Sequence, residues 1–505
     1  MKLIKKILAI MFAFMMVVGM GTKVNAEEGA QPGTKGTITV SNVKEGHTYK
    51  LYKILNLESY SYDFGKASEG NYSYTLVGNA WDTFVKDNAG ENNFFTITDD
   101  KYVTSNQGAN AEALAKAAIE FAKGKNLEPQ KTSTTDSNED LVFKDLDLGY
   151  YLVDSSVGAL CGLNTTNPTV TIQEKNDVPT VEKKVSNTAN GNYSDSNFAN
   201  IGDTVYFQTS ITAQPGAQNY VLHDTMSDGL TPNKDINIKF ENGSSVIAAE
   251  NYEINYGVEH NDSESNQTTC TFDITFKETF CNTLTANEKI IVTYSATLND
   301  KALIHQENVN KTQLSYGDNK KTNEDKTYTV TYEIKVLKYS GTLNNKLKGA
   351  TFKLYDSEVN EGKTVCKSDP IQLVKNGNDG QNYRRALKNE DNSFAEVTTT
   401  ENGAFSIQGL KPGTYYLEET AAPRGYNKLL NKIKVEIKND GTLIVDGKSS
   451  DDNNLPISQV NVENKTGTLL PSTGGMGTTM IYMAGAILVI ASGIVLVSKK
   501  RSKAK

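Results

Sequence analysis

A lysine set between valines opens the chemistry of this chain. In Val181-Glu182-Lys183-Lys184-Val185, alternation along a strand puts Val181, Lys183 and Val185 on one face and Glu182 and Lys184 on the other. The valine face is the one to bury, and it carries Lys183 into a core where an ammonium is costly unless neutralised. Tyr220-Val-Leu-His-Asp224 likewise turns Asp224 inward with Tyr220 and Leu222. The strand Asn308–Tyr316 puts Asn308, Asn310, Thr312, Leu314 and Tyr316 on one face. Burial favours the neutral amine of lysine and the neutral acid of aspartate. A neutral amine is a nucleophile. An asparagine carbonyl polarised by a protonated carboxyl is an electrophile. Together they would form a Lys–Asn amide with loss of ammonia. A buried Lys183–Asp224 ion pair, with Asn310 as a hydrogen-bond partner, satisfies the same pattern, and alternation by itself favours that simpler reading.

A second set follows the same logic. Ile334, Val336 and Lys338 share a strand face, as do Tyr415, Leu417 and Glu419, and Val462 and Asn464. Glu419 is then the inward carboxyl; the competing reading is a solvated acid near a turn. Other chemistry is sparse. The four histidines, His47, His223, His260 and His305, are too few to build a histidine-based catalytic centre upon. Cys161, Cys270, Cys281 and Cys366 lack the C-x-x-C spacing of a zinc site. Cys270 and Cys281 are near enough in sequence to pair, although no turn signal joins them, and their pairing is left open. Asn376-Gly-Asn-Asp-Gly380 lacks EF-hand spacing and reads as solvated turns. No metal and no cofactor is expected. The net charge of −8, without a basic patch interleaved with aromatics, argues against nucleic acid.

The two ends set the context for these residues. Lys2, Lys5 and Lys6, the apolar Ile7–Met20 and the small-residue site Val24-Asn25-Ala26 read as a secretory signal peptide, residues 1–26. Near the other end stand Leu470-Pro471-Ser472-Thr473-Gly474, an apolar run from Met480 to Val497, and the basic Lys499–Lys505. About 18 apolar residues is the short end of what crosses a bilayer core, and the basic tail marks the cytoplasmic side. This order of motif, apolar stop and basic tail resembles the cell-wall sorting signal of Gram-positive surface proteins. The resemblance implies that a sortase cleaves between Thr473 and Gly474 and passes Thr473 to an amine.

Between the ends, roughly 445 residues suffice for about three domains. The first, 27–176, opens on the strand pattern Gly36-Thr-Ile-Thr-Val40. It contains one expected helix, Ala109 to Lys123, with Leu114, Ala118 and Phe121 on one face and Gly124 as C-cap. The second, 177–325, carries Pro179–Val185, Gly202–Tyr206, Asp224–Leu230 and Val292–Ala296. These look like the isopeptide-forming middle domain of Gram-positive fimbrial subunits, an immunoglobulin-like sandwich of the collagen-adhesin A type. That resemblance tips the first set towards a covalent bond, with Lys183, Asp224 and Asn310 in the roles of amine, catalytic acid and amide; Asn308 is the alternative amide. The third, 326–466, contains Tyr415–Gly425, which resembles the E-box of collagen-adhesin B-type pilin domains. This implies a second bond, Lys338–Asn464, with Glu419 as proton shuttle. Residues 467–505 form the sorting signal and tail.

Backbone subunits of this family present a lysine just before the middle domain, often in a YPKN-like motif. Gln173-Glu174-Lys175-Asn176 keeps the Lys-Asn pair and the spacing but has Gln173 and Glu174 in place of Tyr and Pro. Lys175 is the expected intersubunit nucleophile, against a plain solvated linker lysine, with Lys184 as second choice. Glu174 and Asp177 would tend to hold its amine protonated. The expectation is an all-β chain of tandem sandwiches and a structural, non-enzymatic function: the major subunit of a covalent pilus, secreted, anchored to the wall and supporting adhesion. Its partners would be pilus-specific and housekeeping sortases, copies of itself, minor pilins, peptidoglycan and host surface molecules. The alternative is a monomeric wall-anchored adhesin or minor pilin.

Overall fold

The computed structural model describes residues 35–502 except 62–70, 107, 166–168, 243–244, 262–266, 378–379, 452 and 468–475. Strands dominate, and they assemble into three successive pairs of sheets.

The first pair joins a three-stranded sheet containing Lys35–Ser41 to a larger one built on Thr48–Ser61. The helix Ala111–Gly124 covers one face of the larger sheet with Leu114, Ala115, Ala118 and Ile119 buried. Its cap is Asn110, whose side chain accepts from the N–H groups of Glu112 and Ala113. A second helix, Ala80–Asp87, is an addition to the single helix expected here. It spans barely two turns, too short for a sustained period. Its signal is local: Asn79 caps it, and Trp81, Phe84 and Val85 at helical spacing all bury against Phe121 and Phe95 or their neighbours.

The second pair holds the Lys183 strand, Thr180–Ser186, next to Thr204–Thr212, which pairs on its far side with Lys289–Leu298. Facing it lies a sheet in which the Asp224 strand, Val221–Met226, runs between Gln267–Phe276 and the Asn310 strand, Glu307–Tyr316. The strand Asp325–Val330, which straddles the boundary expected between 325 and 326, hydrogen-bonds along the Asn310 strand in this sheet. A further strand thus follows the Asn310 strand in the same sheet. Between the sheets pack Val185, Phe207, Leu222, Phe272, Ile274, Val292 and Leu314, with nineteen further buried side chains.

In the third pair the Lys338 strand, Tyr332–Ser340, lies beside Ala404–Leu410 and, in parallel, beside the last strand, Val460–Glu463. The opposing sheet is built on Thr351–Asn360 and the Glu419 strand, Gly413–Ala421. Beyond it, Met476–Ser502 is one helix, and its stretch Thr479–Lys500, with mean hydropathy 2.5, is long and apolar enough to cross a membrane.

Candidate functional site

Lys183 and Lys338 are among the largest wholly buried side chains of the molecule, both 0% exposed. An aliphatic stem fits a sandwich core; an amine at its tip does not unless something meets it. In each unit a carboxyl and an amide do.

In the second unit, Lys183 pairs in register with Thr209, so its side chain points from the first sheet towards the second. There its Nζ lies 2.5 Å from Asp224 Oδ2. The Tyr294 hydroxyl, from the Lys289–Leu298 strand, accepts from Lys183 Nζ and donates to the same Asp224 oxygen. Asn310 Nδ2 donates to that hydroxyl at 3.3 Å. Asn310 stands opposite Met226 on the neighbouring strand, two residues from Asp224, so amide and acid come from one sheet. Aromatic faces line the pocket: the amine is 4.9 Å from the Tyr294 ring centre and 5.4 Å from that of Phe207. Lys183, Asp224, Tyr294 and Asn310 are all shut from solvent or nearly so. Burial pushes the Lys183 amine down and the Asp224 carboxyl up, while their attraction opposes both shifts. Burial and the Asp224 charge hold the Tyr294 phenol far above its ordinary value. Asp224 Oδ1 and Asn310 Oδ1 are left without hydrogen-bond partners.

Asn308, the other asparagine of that face, has a different task. Its side-chain carbonyl accepts from Leu303 N, and its amide donates to Leu303 O and Thr329 O. It fastens the preceding loop and leaves no group for Lys183.

In the third unit, Lys338 Nζ lies 3.2 Å from Glu419 Oε1. Asn464 follows the last strand directly, and its backbone N–H donates to Tyr339 O on the lysine strand. Its side-chain amide donates to Glu419 Oε2 at 3.0 Å and to Asn427 O at 2.8 Å. The Leu429 N–H holds the same Glu419 oxygen at 2.8 Å. Glu419 is thus buried and oriented, not a solvated turn acid. Burial lowers the Lys338 amine against the pull of Glu419. Asn464 Oδ1 again has no partner.

Tyr294 is the member of this hydrogen-bonded set that the sequence reading did not single out. Its one signal is its place between Val292 and Ala296 on an inward face, which looks like ordinary packing.

Lys175 is exposed in the segment between the strand Thr169–Gln173 and the Lys183 strand. The residues beside it are pinned. Asn176 is buried, and its backbone and side-chain N–H groups both donate to Glu174 Oε1, at 2.9 and 2.7 Å. A Cβ on Gly216, which has φ +80°, would stand 1.8 Å from Asn176 Oδ1, so the loop there closes on a bare backbone. Glu174 turns inward, and Asp177 pairs with Lys44 at 3.0 Å. Glu174 is thus engaged by Asn176 and Asp177 by Lys44. Lys184 is a poorer nucleophile than expected: it is partly covered and bound to Glu182 and Asp195, whose hydrogen bonds raise its pKa. Cys270 and Cys281 are both thiols and do not pair with each other. Thr473 and Gly474 lie outside the described residues.

Comparisons with known proteins agree with this architecture. Residues 201–320 match the model of the Gram-positive pilin backbone subunit 2, Cna-B-like domain, and residues 332–451 that of the SpaA prealbumin-like fold domain. The middle match thus carries a B-like description where the sequence resemblance pointed to the A type. A curated relative, the fimbrial subunit type 1 of Actinomyces viscosus, is 24% identical over 161 residues, which span 31% of this chain and 29% of that protein. Among solved structures, the T6 backbone pilin of serotype M6 Streptococcus pyogenes aligns over 86% of this chain and 94% of its own, at 16% identity and a TM-score of 0.47. The full-length major pilin SpaD of Corynebacterium diphtheriae aligns over 86% and 98%, at 18% identity and a TM-score of 0.44. Through residues 201–320 and 332–451, the chain is similar to domains of Gram-positive pilin subunits.

Proposed function

We propose that this chain is the structural backbone subunit of a covalently polymerised pilus anchored to the wall of a Gram-positive cell, and that each of its two C-terminal units closes an internal Lys–Asn bond. The observation that carries this reading is the pair of buried lysine–carboxyl–asparagine sets. In each, the neutral lysine Nζ attacks the asparagine Cγ, and the protonated carboxyl of Asp224 or Glu419 stabilises the developing oxyanion. The Cγ–Nδ2 bond then breaks, the leaving NH2 group takes the one proton that the lysine nitrogen releases, and ammonia departs. No oxidant or cofactor is needed.

The lysines and asparagines are 127 (310 − 183) and 126 (464 − 338) residues apart. By the chain-entropy model, closing a loop of that size stabilises by roughly 5 kcal/mol. The greater gain is mechanical, since tension entering by the lysine strand reaches the asparagine strand through a covalent bond. A tethered fibre needs that property. Polymerisation would join Thr473 of one copy to Lys175 of the next; exposure of Lys175 between pinned neighbours supports this.

Two measurements test the reading. Intact mass of the folded protein should fall short of the sequence mass by two ammonia molecules, about 34 Da; an unreduced mass would defeat both bonds. In wall extracts boiled in denaturant, Lys175→Ala should collapse the polymer ladder to monomer while single subunits stay anchored. A ladder that survives the change would exclude Lys175, and the lack of any ladder in the unaltered protein would favour a monomeric wall-anchored adhesin.

A further inference from the structure

Behind the Asp224 strand, on the face away from Lys183, four side chains converge that neither bond uses. They are His223 on the Asp224 strand, His260 on Tyr252–Asn261, and Cys270 and Asp273 on Gln267–Phe276. One donor atom from each lies within 4.8 Å of all the others. Asp273 Oδ1 is 2.9 Å from His223 Nδ1, and Oδ2 is 2.7 Å from His260 Nε2. The two imidazoles stand edge to face with centres 4.8 Å apart. Cys270 and Asp273 are three residues apart, so a regular strand would send them to opposite faces. They meet beside Gly257, whose φ is +66°, between the pairs Tyr256–Phe272 and Val258–Cys270, which keep one register.

We propose that His223, His260, Cys270 and Asp273 bind one zinc ion. Two imidazoles, a thiolate and a carboxylate are a tetrahedral zinc ligand set. Bonds of about 2.0–2.3 Å place tetrahedral donors roughly 3.5 Å apart, so each atom here moves by under about 1 Å to close on the ion. His223 Nε2 is held at 2.7 Å by Ser315 Oγ, the partner that orients a ligating imidazole through its second nitrogen. Cys270 and Asp273 are buried, whereas the His260 side chain is 32% exposed and leaves the ion a way in. The ion would tie together three strands of the sheet that carries Asp224 and Asn310. Binding would release the Cys270 thiol proton to solvent.

The test uses the full chain in detergent, stripped with a chelator and titrated with Zn2+ alone and then Co2+ alone. The expected result is one saturable zinc site per chain and, with cobalt, the visible bands of tetrahedral geometry plus a thiolate charge-transfer band. Cys270→Ser should abolish the charge-transfer band, and His260→Gln should weaken zinc binding at least tenfold. Circular dichroism checks the fold of each variant, and His260→Gln, altering a partly exposed side chain, carries the test alone if the cysteine variant misfolds. No saturable site, or binding unchanged by the His260 substitution, overturns the proposal and leaves a hydrogen-bonded cluster only.

Discussion

The two buried sets contain the same three residue roles but distribute them oppositely between sheets. In the second unit the acid and the amide share a sheet, two residues apart in register on adjacent strands, and the lysine crosses from the facing sheet. In the third unit the lysine and the amide share a sheet, on parallel neighbours, and the acid crosses. A bond at the first site would staple two sheets together. A bond at the second would lock two adjacent strands of one sheet, which pull against each other in shear. The proton paths differ too. Glu419 touches the nitrogen that must leave, whereas Asp224 reaches it through the Tyr294 hydroxyl. With loop lengths almost equal, chain entropy cannot separate the sites. Geometry and the number of groups around the amine can.

That contrast makes Glu419→Ala the most damaging change. It should cancel one ammonia loss and leave the Lys338 amine buried with no counter-charge, costing about 3–5 kcal/mol. Asp224→Ala should cancel the other loss but cost about 1 kcal/mol less, because Lys183 keeps the Tyr294 hydroxyl and two aromatic faces. Intact mass and urea denaturation of both variants decide this; a bond retained in either, or equal destabilisation, would contradict the distinction.

A smaller effect separates the first unit from the other two. His47 sits at the junction, with Ser156 Oγ at 3.3 Å on one ring nitrogen and Tyr316 of the second unit at 3.2 Å on the other. Burial, helped by the charges of Lys320 and Lys44, lowers its pKa from 6.5 to about 4. Between those values the unfolded chain takes up the proton and the folded one does not, so stability falls as pH drops below 6.5 and levels off near 4. At pH 5 the loss should be about 2 kcal/mol, appearing as faster proteolysis of the first unit while the other two resist. His47→Asn should remove this acid sensitivity; if it persists unchanged, the junction histidine is not its source.

The smallest effect tests the tyrosine relay. Tyr294→Phe keeps the ring and removes the hydroxyl. It should slow formation of the Lys183–Asn310 bond by about tenfold, the worth of one hydrogen bond of about 1.4 kcal/mol, and leave the Lys338–Asn464 bond at its normal rate. Mass spectrometry of pulse-labelled protein against time reads both. Equal rates in variant and parent would make Tyr294 a packing residue only.

Much of this arrangement was legible from residue order because strands alternate strictly. Lysines between apolar neighbours must face the core, and an acid or amide at the same parity must follow them. The all-β character, the helix Ala111–Gly124 and the apolar C-terminal helix have similarly local causes: pleat, caps, and the need of a bilayer-length segment to satisfy its own backbone. What parity could not supply was a partner. Asn308 and Asn310 are equivalent in the sequence; pairing with the Asp224 strand brings Asn310 to Tyr294, and the loop at Leu303 occupies Asn308. The same holds for Tyr294, for the inward turn of Glu174, and for Cys270 and Asp273, whose parities oppose each other. Sequence determined which side chains face inward, because that depends on a backbone period of two. Which side chains meet depended on strand pairing, at the two lysine–asparagine sets over more than a hundred residues, and only the tertiary structure decided that.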